Sequence, residues 1–359
     1  MNQSRRNRVQ PLILASLTLA VLVQPVRAAW AAQNGVEGTA SGCASLQQTS
    51  YPKTSISNGL VNAVVYLPDA KNGYYRGLRF DWSGVVGCLT YKGHTYFGVW
   101  FPRYDPLLND SITGPVEEFR SSDGLSSVNY REAKPGEPFL KPGVGVLRKV
   151  DNSPYAFTAT YPLIDGGKWT VHRRRDGVSF RQDLHSKSGF AYVYKKTLSL
   201  AKDGPVLILE HELKNNGTKT IDTQVYDHDF FMIDGTPTGP DMAVSFPFEP
   251  KAERALQHGG TIDGRDIVYR QELQPRQSVT SYLTGFSNNI SDYDIKVENR
   301  RTKAGVEQTA DVPMSQLNFW SIRSTICPEA YIHLNIPPGK TARWTIRYRF
   351  YAKQGSEAH

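Results

Sequence analysis

The chain has 359 residues, of which 39% are hydrophobic and 11% aromatic, and a formal charge of +8. That is ample for a large core in one to three domains. The three cysteines (Cys43, Cys88, Cys327) are too few for a disulfide scaffold, leave room for one bridge, and include no CxxC pair, which argues against a structural zinc site. Part of the positive charge lies at the extreme N-terminus, and no nucleic-acid-binding motif accompanies it.

The chain opens "MNQSRRNRVQPLILASLTLAVLVQPVRAAWAAQ". A basic start precedes an apolar run of roughly a dozen residues, too short to span a membrane comfortably, with Ala28, Ala29 and Ala31 offering cleavage sites. This predicts a signal peptide over residues 1–31 and a periplasmic or secreted protein, free of the membrane after cleavage. Cys43 lies too far beyond the apolar run to be a lipoprotein cysteine, and the paired arginines of "SRRNR" are a weak twin-arginine signal.

From about residue 45 to 353, strand-like runs rich in β-branched and aromatic residues recur in order: "LVNAVVYLP", "HTYFGVWF", "YAFTATYPLI", "KWTVHRRR", "VSFRQDL", "FAYVYKKTLSL", "PVLILEHELKN", "TIDTQVYDHDFFMI", "MAVSFPF", "DIVYRQEL", "SVTSYLTGF", "DYDIKVENRR", "AYIHLNI" and "RWTIRYRFYA". Turn signals ("DG", "GG", "NNG", "PPG") separate them. Helical periodicity is almost absent, and only "KAERALQ" suggests one or two turns. Residues 106–142 carry few strand signals and read as long loops on the sandwich. The expectation is an all-β single domain over residues 45–353, a large sandwich of stacked antiparallel sheets.

Several stretches could carry chemistry. In "GYYRGLRFDWSGVVG", Arg76, Arg79 and Asp81 sit among Tyr74, Tyr75, Phe80 and Trp82, which is either a sugar-binding wall or an arginine–aspartate pair pinning two loops. "KPGEPFLKPGVGVLRK" lacks the spacing of a phosphate loop, and Lys141 reads as a turn residue ahead of the alternative, a lysine that reaches a substrate. "HRRRDG", His172 to Gly177, reads as a hairpin tip or a site for acidic sugars or phosphate. "LEHELK" lacks the second histidine of a zinc-protease helix, and no G-x-S-x-G elbow is present.

In "QVYDHDFFMID", strand alternation puts His228 on one face with Tyr226, Phe230 and Met232, while Asp227 and Asp229 point the other way. His228 is therefore either part of a sugar site or a hydrogen-bonded core histidine. Metal binding would need a bulge to bring all three polar residues together. In "STICPEAYIHLNIPPGK", Glu329 interrupts an apolar run, so its carboxylate is paired, functional or at a strand edge. If it is removed from water, its pKa rises and it becomes a usable base.

Taken in order, "YYRGLRFDWSG", "YDHDFF" and "ICPEAYIHLNIPPGK" resemble the galactose mutarotase-like superfamily, which includes aldose 1-epimerases and hexose-6-phosphate mutarotases. The resemblance implies a β-supersandwich and an aldose 1-epimerase-like activity with a sugar or oligosaccharide as partner and no metal or organic cofactor. It implies His228 as the general acid at the ring oxygen and Glu329 as the general base at the anomeric hydroxyl. Arg79, or else Arg76, would bind substrate hydroxyls, with Tyr226, Phe230 and Trp82 lining the site. The two catalytic groups are then expected to face one cleft about one sugar ring apart. Two alternatives stay open on the same fold: a non-catalytic carbohydrate-binding module, and a lyase or other carbohydrate-active enzyme.

Overall fold

The computed structural model describes residues 50–353. The expected signal peptide, its cleavage sites and Cys43 lie outside these residues. Cys88 is disulfide-bonded, whereas Cys327 is a free, buried thiol.

Two antiparallel sheets build the sandwich. One has ten strands, in the order Gly260–Asp263, Asp266–Tyr269, Met242–Ser245, Asp294–Asn299, Ala304–Ala310, Thr341–Ala352, Val206–Asn215, Ala191–Leu200, Gly177–His185 and Lys168–Arg173. The other has six, in the order Lys251–Ala252, Ser278–Thr284, Gln316–Ile322, Thr325–Ile336, Ile221–His228 and Val116–Ser121. A four-stranded sheet (Lys53–Ser57, Val61–Tyr66, Val85–Tyr91, His94–Phe97) and a three-stranded one (Pro138–Lys141, Gly145–Arg148, Leu163–Asp165) complete it.

Sequence alternation explains which faces are buried. In Val206–Asn215 the inward residues Leu207, Leu209, His211, Leu213 and Asn215 are buried and alternate with more exposed neighbours, and Trp344, Ile346, Tyr348 and Phe350 do the same in Thr341–Ala352. One face of the ten-stranded sheet is thus wet. The six-stranded sheet differs. Thr325–Ile336 is buried at its first eight positions in succession, so both of its faces are covered there. Phe119, Val225, Leu317, Phe319, Ala330 and Ile332 belong to the main core. Val116, Phe230 and Cys327 join a second cluster with Phe80, Trp82, Phe139 and Tyr161 from the covering loops and the small sheet. The site lies in this second layer.

Three expectations need correction. "KAERALQ" forms no helix: Lys251 and Ala252 pair with Thr284 and Leu283, so tertiary pairing overrides helix-favouring composition. Residues 106–142 are not all loop, since Val116–Ser121 and Pro138–Lys141 are strands. "YAFTATYPLI" is loop up to Leu163, and its Tyr155 and Tyr161 rings stack on each other instead of alternating across a sheet. The "HRRRDG" hairpin tip is as expected, closed by Arg174 N donating to Gly177 O.

Candidate functional site

The site is assembled from cross-strand neighbours. Val225 pairs with Ile332, and the isolated bridge Phe231–Ile326 keeps the same register. Counting between them places His228 opposite Glu329 and Asp229 opposite Pro328. Proline has no N–H to give the ladder, so pairing lapses there. The Phe230 amide instead donates to Cys327 Sγ at 3.2 Å. Phe230 adopts φ 47°, a left-handed conformation that is strained for a bulky residue.

This register brings His228 Nε2 within 3.3 Å of Glu329 Oε1. The residues are 3% and 5% exposed. The His228 ring stacks on Phe230 with centroids 3.8 Å apart, and Phe80 and Trp320 meet it edge-on at 5.6 and 5.5 Å. Trp100 stacks on the other face of Phe230 at 4.6 Å. Glu329 Oε2 accepts from Asn318 Nδ2 at 2.9 Å and from the Tyr331 hydroxyl at 3.4 Å. His228 Nδ1 is buried with no hydrogen-bond partner. The separation expected from the resemblance, about one sugar ring, is not what the closed structure holds.

Beside this pair lies an ionic hub. Glu118, opposite Tyr226 in register, accepts from Arg79 Nε at 2.8 Å, from the Tyr226 hydroxyl at 2.5 Å and from Lys141 Nζ at 3.2 Å. Arg79 also donates to Asp110 at 2.6 Å and to the Tyr226 hydroxyl at 3.3 Å. Phe80 and Phe157 flank its guanidinium at 4.5 and 4.2 Å.

Burial, with Arg79 adding to it, holds the His228 pKa well below the ordinary imidazole value, so the ring is neutral. Burial raises Glu329 to about 7. Near neutral pH the pair therefore favours a neutral imidazole beside a carboxyl that is partly protonated, over a carboxylate beside an imidazolium.

Asp227 and Asp229 turn to the opposite face from His228, as alternation requires, so the three polar side chains do not converge. The Tyr348 hydroxyl lies 2.6 Å from Asp227 Oδ2 and 2.7 Å from Asp229 Oδ1. One hydroxyl carries one hydrogen, so both short contacts are hydrogen bonds only if a carboxyl is itself protonated. Burial raises Asp227 to about 7, and burial with the neighbouring Asp227 raises Asp229 well above the ordinary carboxylate value. A folded pKa above the unfolded 3.8 gives a contribution that is full at lower pH and is lost as the pH rises toward 7. Asp227→Asn is therefore expected to gain stability relative to wild type between pH 5 and 8, by at least about 1 kcal/mol, less than one pKa unit's worth. Urea denaturation of both proteins at pH 5, 6.5 and 8 measures it. A constant difference across that range refutes the shared proton.

Of the other residues singled out in the sequence, Trp82 packs in the covering cluster and donates its indole N–H to Gly77 O at 2.7 Å. Arg76 is tied through its backbone amide to Pro106 O at 2.7 Å, and its Nε has no partner. Neither makes a hydrogen bond or ring contact with His228 or Glu329 among the described residues. Sequence reasoning missed Glu118, Arg120, Asn318, Trp320 and Tyr331, and took Lys141 for a turn residue, although its side chain is 1% exposed and ion-paired. The alternation in "VEEFRS" was the available signal: Val116, Glu118 and Arg120 on one face, Glu117 and Phe119 on the other.

The loop over residues 149–162 covers the site with Phe157 on Arg79 and the Tyr155 hydroxyl 3.4 Å from Lys141 Nζ. Asn109 fastens it, donating to Phe157 O at 2.7 Å. Next to this cover is a cleft of about 370 Å³ lined by Trp100, Arg103, Asn109, Asp110 and Thr158 among others. It reaches the site through Asp110 and Trp100.

No protein-family model matches the chain, and a search of curated proteins gives no match. Solved structures do match. An aldose 1-epimerase candidate from Escherichia coli K12 is 12% identical over 84% of this chain and 99% of its own, with a TM-score of 0.54. The aldose epimerase homologue of C. elegans is 14% identical over 85% and 100%, with a TM-score of 0.52. A galactose mutarotase-like protein from Clostridium acetobutylicum is 13% identical over 83% and 95%, with a TM-score of 0.52. Stacked antiparallel sheets and these likenesses together give the chain the galactose mutarotase-like β-sandwich fold.

Proposed function

We propose that the protein is an exported, carbohydrate-active protein of aldose 1-epimerase type, with His228 and Glu329 moving the proton. The observation that carries this reading is a buried histidine–carboxyl pair 3.3 Å apart, with His228 Nδ1 unpartnered. A buried polar atom without a partner is worth about 1–3 kcal/mol to any group that satisfies it, and a sugar hydroxyl is such a group. Ring opening of an aldose needs one proton removed from the anomeric hydroxyl and one delivered to the ring oxygen. A carboxyl with pKa about 7 is poised for either transfer at neutral pH. The rings of Phe80, Trp320 and Phe230 offer apolar faces to sugar C–H groups, and Arg79 offers donors.

Because the pair is in direct contact, the sugar enters only when Glu329 and the 149–162 cover move. The implied assignment of His228 as acid and Glu329 as base uses the charge-separated tautomer of the pair, which an incoming hydroxyl at Nδ1 and the nearby Arg79 would influence. Export is supported by the disulfide at Cys88, since disulfides persist in oxidising compartments.

The test is one-dimensional proton NMR of fresh α-glucose, α-galactose, a uronic acid and a sugar phosphate, with and without protein. Accelerated anomer interconversion that disappears in a His228→Ala, Glu329→Ala double variant supports the enzyme. Shifted or broadened sugar signals without acceleration favour a binding module, the second reading, which the closed 3.3 Å contact itself recommends. No effect with any sugar overturns the carbohydrate reading.

A further inference from the structure

We propose that Arg120, with Lys141 beside it, is a carboxylate subsite, and that the sugar taken by this site is a uronic acid. The inference rests on the carbohydrate reading above and narrows it to a substrate class.

The two arginines of the site are used differently. Arg79 spends its guanidinium on Glu118, Asp110 and Tyr226. Among the described residues Arg120 donates no side-chain hydrogen bond. Its Nε is buried without a partner, and its nearest carboxylate oxygen, Glu118 Oε1, is 3.8 Å away. Its side chain is 15% exposed, and of its three nitrogens only Nε is both buried and unpartnered, so the two terminal nitrogens can be reached from outside. A guanidinium is a planar fork of donors that matches a carboxylate with two parallel bonds. Here such a fork has no protein acceptor within hydrogen-bond distance among the described residues.

The charges agree. Arg79, Arg120 and Lys141 are three cations, and Glu118 and Asp110 are their two ion-paired carboxylates, which leaves a surplus of one positive charge. Glu329 is half protonated at neutral pH, with a pKa of about 7, and is a weak counter-charge. A single surplus charge suits a monoanion, hence a sugar carboxylate over a phosphate.

Position agrees as well. Arg120 lies on the same strand face as Glu118 and opposite Gln224, while Val116 lies opposite His228. Four residues of strand span about 13 Å. Arg120 Nε lies 3.8 Å from Glu118 Oε1, and Glu118 is the residue of this face next along the strand toward Val116 and His228. Arg120 is also near enough to disfavour a proton on both His228 and Glu329.

The experiment is titration calorimetry of the full mature chain with glucuronate and galacturonate, their parents glucose and galactose, and glucose 6-phosphate. Wild type is expected to bind each uronate about 10- to 100-fold tighter than its parent, the size of a bidentate charge-assisted hydrogen bond. Arg120→Gln is expected to close that gap, and Arg120→Lys to keep part of it, with melting curves showing that both variants fold. The proposal is overturned if wild type shows no gap, if the gap survives in Arg120→Gln, or if glucose 6-phosphate outbinds both uronates. Neutral hexoses binding as well as uronates would sink the subsite alone and leave the carbohydrate reading standing. Binding of no sugar at all would sink both.

Discussion

On the proposed function, Glu329→Gln is expected to slow anomer interconversion by about 10²- to 10⁴-fold, the usual worth of a positioned acid or base. Glutamine keeps the shape and an oxygen to accept from Asn318, whose bond to Oε2 is 2.9 Å. The fold is therefore expected to survive while the group with a pKa of about 7 is gone. The pH profile should report the same loss. In wild type the rate changes through pH 7 as Glu329 titrates, whereas the variant profile is flat there. His228→Ala should cost a similar factor, and the double variant little more, because the two residues handle one proton as a unit. The NMR assay applied to the three variants measures all of this. If Glu329→Gln retains the wild-type rate, the base lies elsewhere and the pair is structural.

The largest loss of stability is expected from Glu118→Ala, about 3–5 kcal/mol, because a buried ion pair broken by removing one partner leaves the other charges uncompensated. Glu118 is fully buried. Burial alone would raise its pKa, but Arg79 and Lys141 overcome this and hold it well below the ordinary carboxylate value of 4.5. Its contribution is therefore present above about pH 4.5 and lost as the pH falls below it. Alanine would strand Arg79, Lys141 and Arg120 around an empty centre and leave the Tyr226 hydroxyl without its 2.5 Å acceptor. Glu118→Gln keeps hydrogen bonds but not charge and should be milder. Urea unfolding of the two variants at pH 7 decides it. A cost below about 1 kcal/mol for alanine, typical of an exposed pair, would mean the hub is not what holds this side of the sheet.

Much of the sandwich was legible because period-two patterning is strong where one face is wet. "PVLILEHELKN" and "RWTIRYRFYA" alternate cleanly and became adjacent strands of the ten-stranded sheet. The site was less legible because both faces of its sheet are covered, so burial no longer alternates and polar residues in its strands look like errors or edges. His228, Glu329 and Arg79 stood out as polar residues in apolar, aromatic runs, and the resemblance supplied their roles. What pattern reading lacked was register: only the pairing of two strands distant in sequence shows that His228 and Glu329 touch instead of facing each other across a ring. "VEEFRS" lies within residues 106–142, which read as loop, whereas here Glu117 meets Lys196 and His211 between the sheets and Glu118 meets Arg79 on the other side. "YAFTATYPLI" misled in the opposite sense, since rings that cover a site have the same composition as rings that line a strand.

The alternation along Ile221–His228 has a genetic consequence. Every substitution in this strand affects one layer, but a one-codon insertion or deletion between Tyr226 and Phe230 would exchange the layers. Asp227 or Asp229 would then be presented to the Glu329 side, and His228 to Tyr348. Two acid-rich surfaces would meet on one side of the sheet, and the carboxyls between the sheets would lose the hydroxyl they share. Mutational scans of this segment should therefore return tolerated point changes at Asp222, its one position that is not buried, and no surviving length changes, a signature of reading frame at the level of side-chain direction.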